Sequence, residues 1–480
     1  MQMRGTSGLG EVFSPRTVAI AGVGGMGIGQ AFIACLVDSG YKGKIYPISP
    51  KGGEVMGLEV YPNVVDIPDA VDLVIACLPA PLAPQLVEDC VAKGVKAITF
   101  YTAGFGEKGD EQGHALDEQI LEQARAGGVR ILGPNCVGIY NPKLGVSFSS
   151  DNPRESGSTA LICQSGGNAI YIVRAAGCRG VRFSKAVSYG NSLDIDAAEL
   201  LEYFAEDDET RVISAYIEGM KDGQRFYQAL KKACSAKPVI VVKAAQTEAG
   251  ARAASSHTGA LAGGDIVWRS LLRQAGAVVV DTLDELADML VTFSFMKVPR
   301  GRRATVIGGG GGFSVMTTDA CVGHGFELPP LPPHVRDTIQ GHVDEYMKTD
   351  AGFILENPFD TTNLFDPEGH YKVLKALADW EGVDTIFGQF SINNSAWPHA
   401  DFGYSIWPGM FSDAAIRIQN ETDTPVAVAI HAVLSEWDMR RSLELQQKCY
   451  EGGLPVFRTL VSMARAVDRF VSYHERLRRR

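Results

Sequence analysis

The sequence lacks long apolar segments. Its longest apolar runs have the length of a β-strand, and residues 1–12 contain no apolar core of a secretory signal. We therefore expect a cytoplasmic protein that does not enter a membrane. Basic charge is also scarce, because the formal net charge is −11. This balance argues against non-specific binding to nucleic acid or to anionic membranes.

Cysteine is sparse and scattered. The nine cysteines include no Cys-x-x-Cys pair, which argues against both a zinc site and a disulfide framework. We therefore expect no metal site and a reduced, intracellular enzyme. Glycine, in contrast, is abundant: the 53 glycines among 480 residues suggest many tight turns between strands and helices.

Short apolar runs alternate with helical patterns along most of the chain. This alternation predicts parallel, doubly wound α/β sheets, whose active edge lies at the carboxyl ends of the strands. The predicted strands are 17–21, 44–48, 71–78, 97–101, 130–132, 159–163, 182–186, 212–217, 238–242, 304–307, 385–390 and 425–430.

Two interruptions divide this pattern. Residues 141–158 are rich in Pro, Asn, Ser and Gly, and residues 298–303 read Val-Pro-Arg-Gly-Arg-Arg. A chain of this length is expected to form several domains, since one core rarely grows beyond roughly 250–300 residues. We predict three α/β domains, at residues 1–145, 146–298 and 299–480, the last ending in a basic helical tail.

The first glycine-rich loop follows the first predicted strand. Residues 22–27 read Gly-Val-Gly-Gly-Met-Gly and fit the pattern G-x-G-x-x-G, whose backbone amides can bind phosphates. An NAD site requires Asp or Glu at the end of the next strand, whereas Lys51 stands there. A lysine suits the extra phosphate of CoA or NADP. The loop is therefore a CoA site, an NADP site or a structural turn, and Lys51 favours CoA.

Three further segments lie at the same predicted edge. Pro79 and the pair Thr102-Ala103 follow successive strands, where they either contact the adenine or pantetheine arm or simply terminate the strands. Cys136 lies in Gly-Pro-Asn-Cys-Val-Gly. It could act as a nucleophile, but packing near the cofactor thiol is the favoured interpretation.

The most informative segment surrounds His257. Residues 248–263 are rich in small residues and join a strand ending near Lys243 to a helix beginning near Asp265. A phosphorylated imidazole carries about two negative charges, and amides at helix amino termini stabilise such charge. His257 is therefore either a phosphate carrier or an ordinary polar loop histidine.

Two other elements favour the phosphate-carrier interpretation. The turn Ser165-Gly166-Gly167 follows a strand and begins a helix, so its amides and hydroxyl can form a phosphate site. Glu218 ends another strand at the same edge. A carboxylate that bonds one ring nitrogen fixes the tautomer of the imidazole, so Glu218 is either the partner of His257 or a surface acid.

Several segments resemble the nucleoside-diphosphate-forming acyl-CoA synthetases, relatives of succinyl-CoA synthetase. The similarity covers about residues 13–473. It implies an α/β fold in the order of the family's α subunit: a Rossmann-like CoA-binding domain, then two flavodoxin-like (succinyl-CoA-synthetase-like) domains. The matching segments are Val-Ala-Ile-Ala-Gly (18–22), Tyr-Pro-Ile-Ser-Pro-Lys (46–51), Pro-Ala-Pro-Leu (79–82), Gly-Pro-Asn-Cys-Val-Gly (133–138), Val-Ser-Tyr-Gly-Asn (187–191), Tyr-Ile-Glu-Gly (216–219) and Ser-His-Thr-Gly-Ala-Leu-Ala-Gly (256–263).

The resemblance also implies an activity, acyl-CoA synthesis through a phosphohistidine and an acyl phosphate. His257 would carry the phosphate and Glu218 would orient it. The CoA-contact positions would be Gly24, Gly25, Met26 and Lys51, and the phosphate site would include Ser165 and Gly166. Residues 163–168 and 307–313 depart from the usual family pattern, which leaves the small carboxylic acid substrate unspecified.

The resemblance further implies a partner. After residue 473 too few residues remain for an ATP-grasp domain, so we expect ATP/ADP and Mg²⁺ to bind a separate β subunit in an α2β2-type hetero-oligomer. Two other functions compete with this one. A non-catalytic CoA-binding regulatory module would bind CoA without phosphorylating His257, and an NADP-dependent oxidoreductase would need a nicotinamide site, for which the sequence shows no constellation.

Overall fold

The computed structural model describes residues 8–24, 27–250, 264–346, 355–361, 364, 366–392, 407–431, 433 and 435–479. Three of the predicted site residues, Gly25, Met26 and His257, lie outside these ranges. The chain divides into two compact units. The N-terminal unit comprises residues 1–177 and 182–286, and the C-terminal unit comprises residues 178–181 and 287–480.

Strands and helices alternate through both units, as the sequence predicts. The strands are β1 Thr17–Ala21, β2 Lys44–Ile48, β3 Glu54–Val55, β4 Leu58–Glu59, β5 Leu73–Ala76, β6 Ala97–Phe100, β7 Arg130–Leu132, β8 Gly138–Tyr140, β9 Thr159–Cys163, β10 Phe183–Ser188, β11 Val212–Ile217, β12 Val239–Lys243, β13 Val278–Val280, β14 Ala304–Gly308, β15 Phe359–Asp360, β16 Thr385–Ser391, β17 Val426–His431 and β18 Val456–Phe457.

The helices cover the faces of these sheets. They are α1 Leu9–Phe13, α2 Ile28–Asp38, α3 Ala83–Lys93, α4 Glu111–Gly127, α5 Gly166–Gly177, α6 Ala197–Glu206, α7 Gly223–Ala236, α8 Asp265–Ala275, α9 Leu283–Phe295, α10 Gly311–Gly323, α11 Pro333–Tyr346, α12 Pro367–Asp379, α13 Trp407–Glu421, α14 Glu436–Glu451 and α15 Leu460–Arg478. Within the described ranges, none of them is both long and apolar enough to cross a membrane.

The N-terminal unit contains two main sheets. The first has the strand order β2-β1-β5-β6-β7, and all of its pairs are parallel. Val18, Ala19 and Ile20 in β1 are fully buried, as expected for a parallel strand covered on both faces. The order reverses at β1, which creates a crevice at the carboxyl ends of the strands where α/β proteins bind ligands.

The second sheet has the order β13-β12-β11-β9-β10-β8. Its strands are parallel except β8, which pairs antiparallel with β10 at the edge. The chain therefore enters the second sheet at Gly138, shortly before the expected boundary at residue 145. The three-domain division itself stays a prediction.

The C-terminal unit is built on a third parallel sheet with the order β15-β14-β16-β17-β18. The expected basic tail forms a helix, α15, whose last described residues, including Arg478 and Arg479, are exposed. Its apolar stripe, which includes Met463, Val467 and Phe470, is buried in the unit. Apolar residues spaced three and four apart favour packing of one helix face, and this packing outweighs the basic charge on the other face.

Candidate active site

A cavity of about 640 Å³ lies inside the N-terminal unit, at the carboxyl ends of the strands of both sheets. Seven of the predicted site residues line it together, and Cys136, Gln164 and Asn191 also contribute to its wall. Gly24 and Lys51 do not line it, although they follow β1 and β2 at the same edge of the first sheet. The seven residues are Pro79, Thr102, Ala103, Ser165, Gly166, Gly167 and Glu218.

The first glycine loop is held against the neighbouring strand ends. The Gly22 N–H donates to the Ile48 carbonyl oxygen at 3.1 Å. Gly22 has φ of +96°, and a Cβ there would lie 2.4 Å from the Cys77 carbonyl oxygen, so no side chain is tolerated. The loop therefore keeps its backbone accessible before α2, as a phosphate-binding loop requires. Lys51 is exposed in the turn after β2.

The turns after β5 and β6 are fixed to each other. The Thr102 hydroxyl donates to the Leu78 carbonyl oxygen at 2.6 Å, which joins the two turns across neighbouring strands. Pro79 and Ala103 complete this wall of the cavity. The two turns thus form one surface at the edge of the first sheet.

The Ser165 turn begins α5. The Asn168 N–H donates to the Ser165 hydroxyl oxygen at 3.3 Å, and the Ala169 N–H donates to the Ser165 carbonyl oxygen at 3.0 Å. The amino end of a twelve-residue helix therefore faces the cavity through Gly166 and Gly167. Such an end favours an anion, because its first N–H groups have no partners within the helix.

Gln164 connects two turns of the site, although it was not predicted as a site residue. Its Oε1 accepts hydrogen bonds from the N–H groups of Glu218 and Gly219, at 2.8 Å and 3.1 Å. The Tyr189 hydroxyl donates to the same atom at 3.3 Å. Gln164 thus ties the Ser165 turn to the turn after β11. Its position between a buried strand and a glycine-containing turn is the sequence feature from which it could have been predicted.

Glu218 is 7% exposed and lies directly after β11. Burial, reinforced by the charge of Glu218, raises the pKa of Tyr216, two residues before it in β11. Burial likewise raises the pKa of the Cys163 thiol, with a smaller contribution from Glu218. Both neighbours therefore remain neutral. The alternative that Glu218 is a surface acid does not hold, because the residue is buried, whereas its pairing with His257 stays a prediction.

Contacts among the described residues hold together the elements before and after residues 251–263, which include His257. Gln246 Nε2 donates to the carbonyl oxygens of Lys243 and Asp281, at 3.1 Å and 2.8 Å. On the other side, Arg269 in α8 forms ion pairs with Asp265 and Asp281, both at 2.6 Å. These contacts join the ends of β12 and β13 to the start of α8. The flanking elements β12 and α8 are therefore fixed relative to each other at this edge of the sheet.

A contact between Glu107 and Asn191 joins the two sheets at the cavity. The Asn191 Nδ2 donates to Glu107 Oε2 at 2.7 Å, and the Asn191 N–H donates to the Pro134 carbonyl oxygen at 2.9 Å. Gly190, directly before Asn191, has φ of +52°, and a Cβ there would lie 2.1 Å from the Pro134 carbonyl oxygen. The loops from the two sheets thus form one continuous wall. Neither Glu107 nor Asn191 was predicted as a site residue.

Cys136 packs within this wall. Its Sγ lies 3.7 Å from the Phe100 carbonyl oxygen, and the residue is 2% exposed. Burial raises the pKa of the thiol to about 12. Because the thiolate is the nucleophilic form, this geometry supports packing and not nucleophilic catalysis.

Comparison with known proteins agrees with this architecture. Residues 16–142 match the CoA binding domain family, and residues 156–293 match the succinyl-CoA ligase like flavodoxin domain family. The α subunit of acetate–CoA ligase (ADP-forming) I from Pyrococcus furiosus is 42% identical over 460 residues, 94% of each chain. The α subunit of acetate–CoA ligase (ADP-forming) II from the same organism is 35% identical and covers 78% of this chain and 80% of its own length.

A solved structure shows the same fold. It is the dinucleotide-forming acetyl-coenzyme A synthetase 1 of Ca. Korarchaeum cryptofilum, in complex with phosphate and ADP. It aligns with a TM-score of 0.81 at 28% identity, over 97% of both chains. The predicted α/β fold, with a CoA-binding and a succinyl-CoA-ligase-like flavodoxin domain, is thereby confirmed. The chain belongs to the ADP-forming acyl-CoA synthetase family, in its α-subunit form, and is an acid–thiol ligase.

Proposed function

We propose that this chain performs the CoA-ligase steps of the reaction that converts a carboxylic acid, CoA and ATP reversibly into acyl-CoA, ADP and phosphate. The observation that best supports this proposal is the cavity lined by residues of both sheets. It places the turns of the CoA-binding sheet opposite the Ser165 turn and Glu218. In this proposal the CoA thiol and the phosphate meet in this cavity, beside Glu218, as the successive transfers require.

The chemistry follows from these positions. Phosphate on a ring nitrogen of His257 transfers to a carboxylate oxygen of the acid, which gives an acyl phosphate and a free imidazole. The CoA sulfur then attacks the acyl carbon, and phosphate leaves. The Ser165–Gly167 amides stabilise the phosphate in both steps, and Glu218 accepts a hydrogen bond from the other ring nitrogen.

CoA binding follows from the geometry of the first sheet. The Gly22–Gly24 backbone is accessible before α2, and we assign Gly24, Gly25, Met26 and Lys51 to the nucleotide part of CoA. Pro79, Thr102 and Ala103 line the cavity wall, where the pantetheine arm would reach the phosphate site. The exposed ammonium of Lys51 suits the 3′-phosphate, which NAD lacks and CoA carries.

The Lys51 assignment predicts a selective loss. Lys51→Ala should weaken CoA binding about threefold to tenfold, which corresponds to roughly 1 kcal/mol for one exposed charge pair. Binding of dephospho-CoA should be unchanged by the substitution, because that ligand has no 3′-phosphate. Isothermal titration calorimetry with both ligands measures the difference. The control is Lys96→Ala, because Lys96 is exposed and directly precedes β6, at the amino ends of the strands. Equal losses for both ligands would refute the assignment.

The partner is proposed from the relatives. Two of them are named as α subunits of ADP-forming ligases. We propose a β subunit with an ATP-grasp domain that binds ATP/ADP and Mg²⁺, in an α2β2-type complex in the cytoplasm. Acetate, named in both relatives, is the first small carboxylic acid to test, within a panel of longer and aromatic acids.

Labelled ATP tests the partner directly. The purified chain should form no acyl-CoA from acid, CoA and ATP, whereas addition of the β subunit should restore synthesis. A chain that makes acyl-CoA at full rate without a partner would contradict the proposal. A chain that binds CoA but acquires no labelled phosphate from ATP when the β subunit is present would support the non-catalytic CoA-binding module instead.

A half-reaction isolates the steps of this chain. Acyl-CoA and labelled inorganic phosphate should phosphorylate the protein without any β subunit, because in this direction ADP is needed only to accept the phosphoryl group after the phosphohistidine has formed. The label should be labile to acid and stable to alkali, as expected for a phosphohistidine. Acetyl-CoA is the first probe, followed by acyl-CoA compounds of increasing size.

A further inference from the structure

The side-chain amide of Gln164 has different surroundings at its two ends. The residue is 5% exposed and lies directly after β9, on the wall of the cavity. Its three side-chain hydrogen bonds to described residues all reach Oε1, from the N–H groups of Glu218 and Gly219 and from the hydroxyl of Tyr189. The two donors on Nε2 are therefore left without an acceptor among the described residues.

The orientation of this amide is fixed by its partners. A backbone N–H can only donate, so the atom that faces the N–H groups of Glu218 and Gly219, at 2.8 Å and 3.1 Å, must be the oxygen. Because Nε2 and Oε1 diverge from one carbon atom, Nε2 points away from the turn after β11. Nε2 also keeps accessible surface, in contrast to the fully buried Oδ1 of Asn191 on the same wall. That surface belongs to the cavity that Gln164 lines.

The next three residues add donors beside Nε2. The Ser165 hydroxyl oxygen accepts from the Asn168 N–H at 3.3 Å, a bond that does not use the hydroxyl hydrogen. A Cβ at Gly167 would meet nothing within 4 Å, so the backbone at the start of α5 borders open space. Four consecutive residues on the cavity wall therefore offer a side-chain amide, a hydroxyl and the first N–H groups of a helix.

The cavity offers these donors in place of positive charge. Of the described residues on its wall, none is Lys, Arg or His, and the one carboxyl group is that of Glu218. A phosphate in the cavity must therefore be bound by neutral N–H and O–H groups, which bind an anion well when they are preorganised. The three hydrogen bonds at Oε1 hold the Gln164 amide in place and polarise it, which strengthens its N–H groups as donors.

We propose that Gln164 is a phosphate-binding residue: its Nε2 donates to an oxygen of the phosphate at the Ser165–Gly167 turn, while its Oε1 anchors the turn after β11. This inference rests on the proposed function, which places phosphate at the Ser165–Gly167 turn. The same donor serves inorganic phosphate and the acyl phosphate, because both present phosphate oxygens to this turn.

Gln164→Glu separates the two ends of the amide. The introduced carboxyl group keeps an oxygen that accepts from the N–H groups of Glu218 and Gly219, but a second oxygen replaces the Nε2 donors. Isothermal titration of the full-length chain, saturated with CoA, should show that inorganic phosphate binds at least about tenfold more weakly near pH 8.5. The chain needs neither phosphorylation nor a partner for this measurement.

The half-reaction with acetyl-CoA and labelled inorganic phosphate provides a second readout. In Gln164→Glu the phosphate concentration for half-maximal labelling rate should rise by about the same factor. The labelling rate at saturating phosphate should fall less than about threefold, because a bond made equally before and during transfer affects binding alone.

The pH dependence is the signature that a structural role alone would not produce. A protonated carboxyl group has an O–H that donates, and the proton belongs on the oxygen that receives no N–H bond. The difference between the native chain and Gln164→Glu should therefore shrink to less than about threefold by about pH 5, since burial favours the protonated form. Gln228→Glu is the matched control. Gln228 is exposed in α7 and does not line the cavity, so this variant should bind phosphate like the native chain at both pH values.

Native phosphate binding in Gln164→Glu would overturn the inference, because the retained oxygen would then account for the whole role of Gln164. A loss that does not change with pH, or an equal loss of CoA affinity, would overturn it as well. If thermal unfolding shows that Gln164→Glu does not fold, Gln164→Met decides, since it is uncharged and has no N–H donor. Phosphate should bind this variant about tenfold more weakly, with CoA affinity unchanged. Acetate is the second anion to titrate, and a loss for acetate without a loss for phosphate would refute the phosphate assignment.

His257→Ala separates this inference from the proposed function. This variant should bind inorganic phosphate like the native chain, because binding precedes transfer. If it is labelled like the native chain, the proposed function fails, whereas the phosphate affinities of the Gln164 variants still decide the role of Gln164. If labelling depends on His257 but phosphate binds equally to the native chain and Gln164→Glu, the phosphohistidine stands and the role of Gln164 is refuted.

Discussion

His257→Ala is expected to abolish phosphorylation of the chain and to lower acyl-CoA synthesis by at least about a thousandfold. The reason is that removal of a covalent nucleophile leaves no alternative acceptor, and the remaining binding groups supply only a small residual rate. The change should appear in the turnover number and in the labelling half-reaction. CoA affinity should be unchanged, because the CoA-binding turns belong to the first sheet.

The matched control is His334→Ala. His334 is an exposed histidine in α11, in the C-terminal unit, so its loss removes an imidazole without touching the cavity. We expect native labelling from this variant. If His257→Ala accepts phosphate at the native rate, the label belongs to another residue and the proposed mechanism is wrong. Label that is stable to acid would lead to the same conclusion.

Strand positions were predicted well wherever a strand is a fully buried apolar run. β1, β9 and β11 begin and end at the predicted residues, because each lies between two parallel neighbours and is largely buried on both faces. Two short edge strands of the second sheet, β8 and β13, were missed; they have three residues each and are recognised by their pairing with a neighbour. The equally short edge strand β7 was predicted at its observed bounds, 130–132.

The site was predicted in part, for a similar reason. Residues at strand ends, such as Glu218 and Ser165, could be placed from the parallel-sheet rule alone. Glu107 and Asn191 could not, because they are 84 residues apart and their contact exists only after the two sheets pack. The strand before the His257 segment was predicted at residues 238–242, with its end near Lys243. The structure places it at Val239–Lys243 and buries the lysine.

The packing of the two sheets also depends on one buried arginine. Arg130 in β7 donates from Nε to Asp194 at 2.7 Å, and its two terminal nitrogens bond both oxygens of Glu199 in α6, at 2.9 Å and 2.8 Å. All three side chains are about nine-tenths buried. Burial opposes the charge of Arg130, but the two carboxylates outweigh it and raise the pKa of the guanidinium. This cluster holds the CoA-binding sheet to the sheet that carries Glu218.

Glu199→Gln should therefore destabilise the N-terminal unit by about 3 kcal/mol, because removing one partner of a buried pair leaves an arginine with insufficient negative charge. Glu206→Gln in the same helix is the matched control. Glu206 pairs with Lys232 at 2.6 Å, but both side chains are more than half exposed, so the loss should stay below about 0.5 kcal/mol. Urea unfolding measures the free energy of unfolding of both variants. The transition of the N-terminal unit is the one that moves to higher urea concentration when CoA is added. Equal stabilities would show that Arg130 does not hold the two sheets together. A large loss for Glu199→Gln should also weaken CoA-dependent phosphorylation, since the cavity wall is shared by the two sheets.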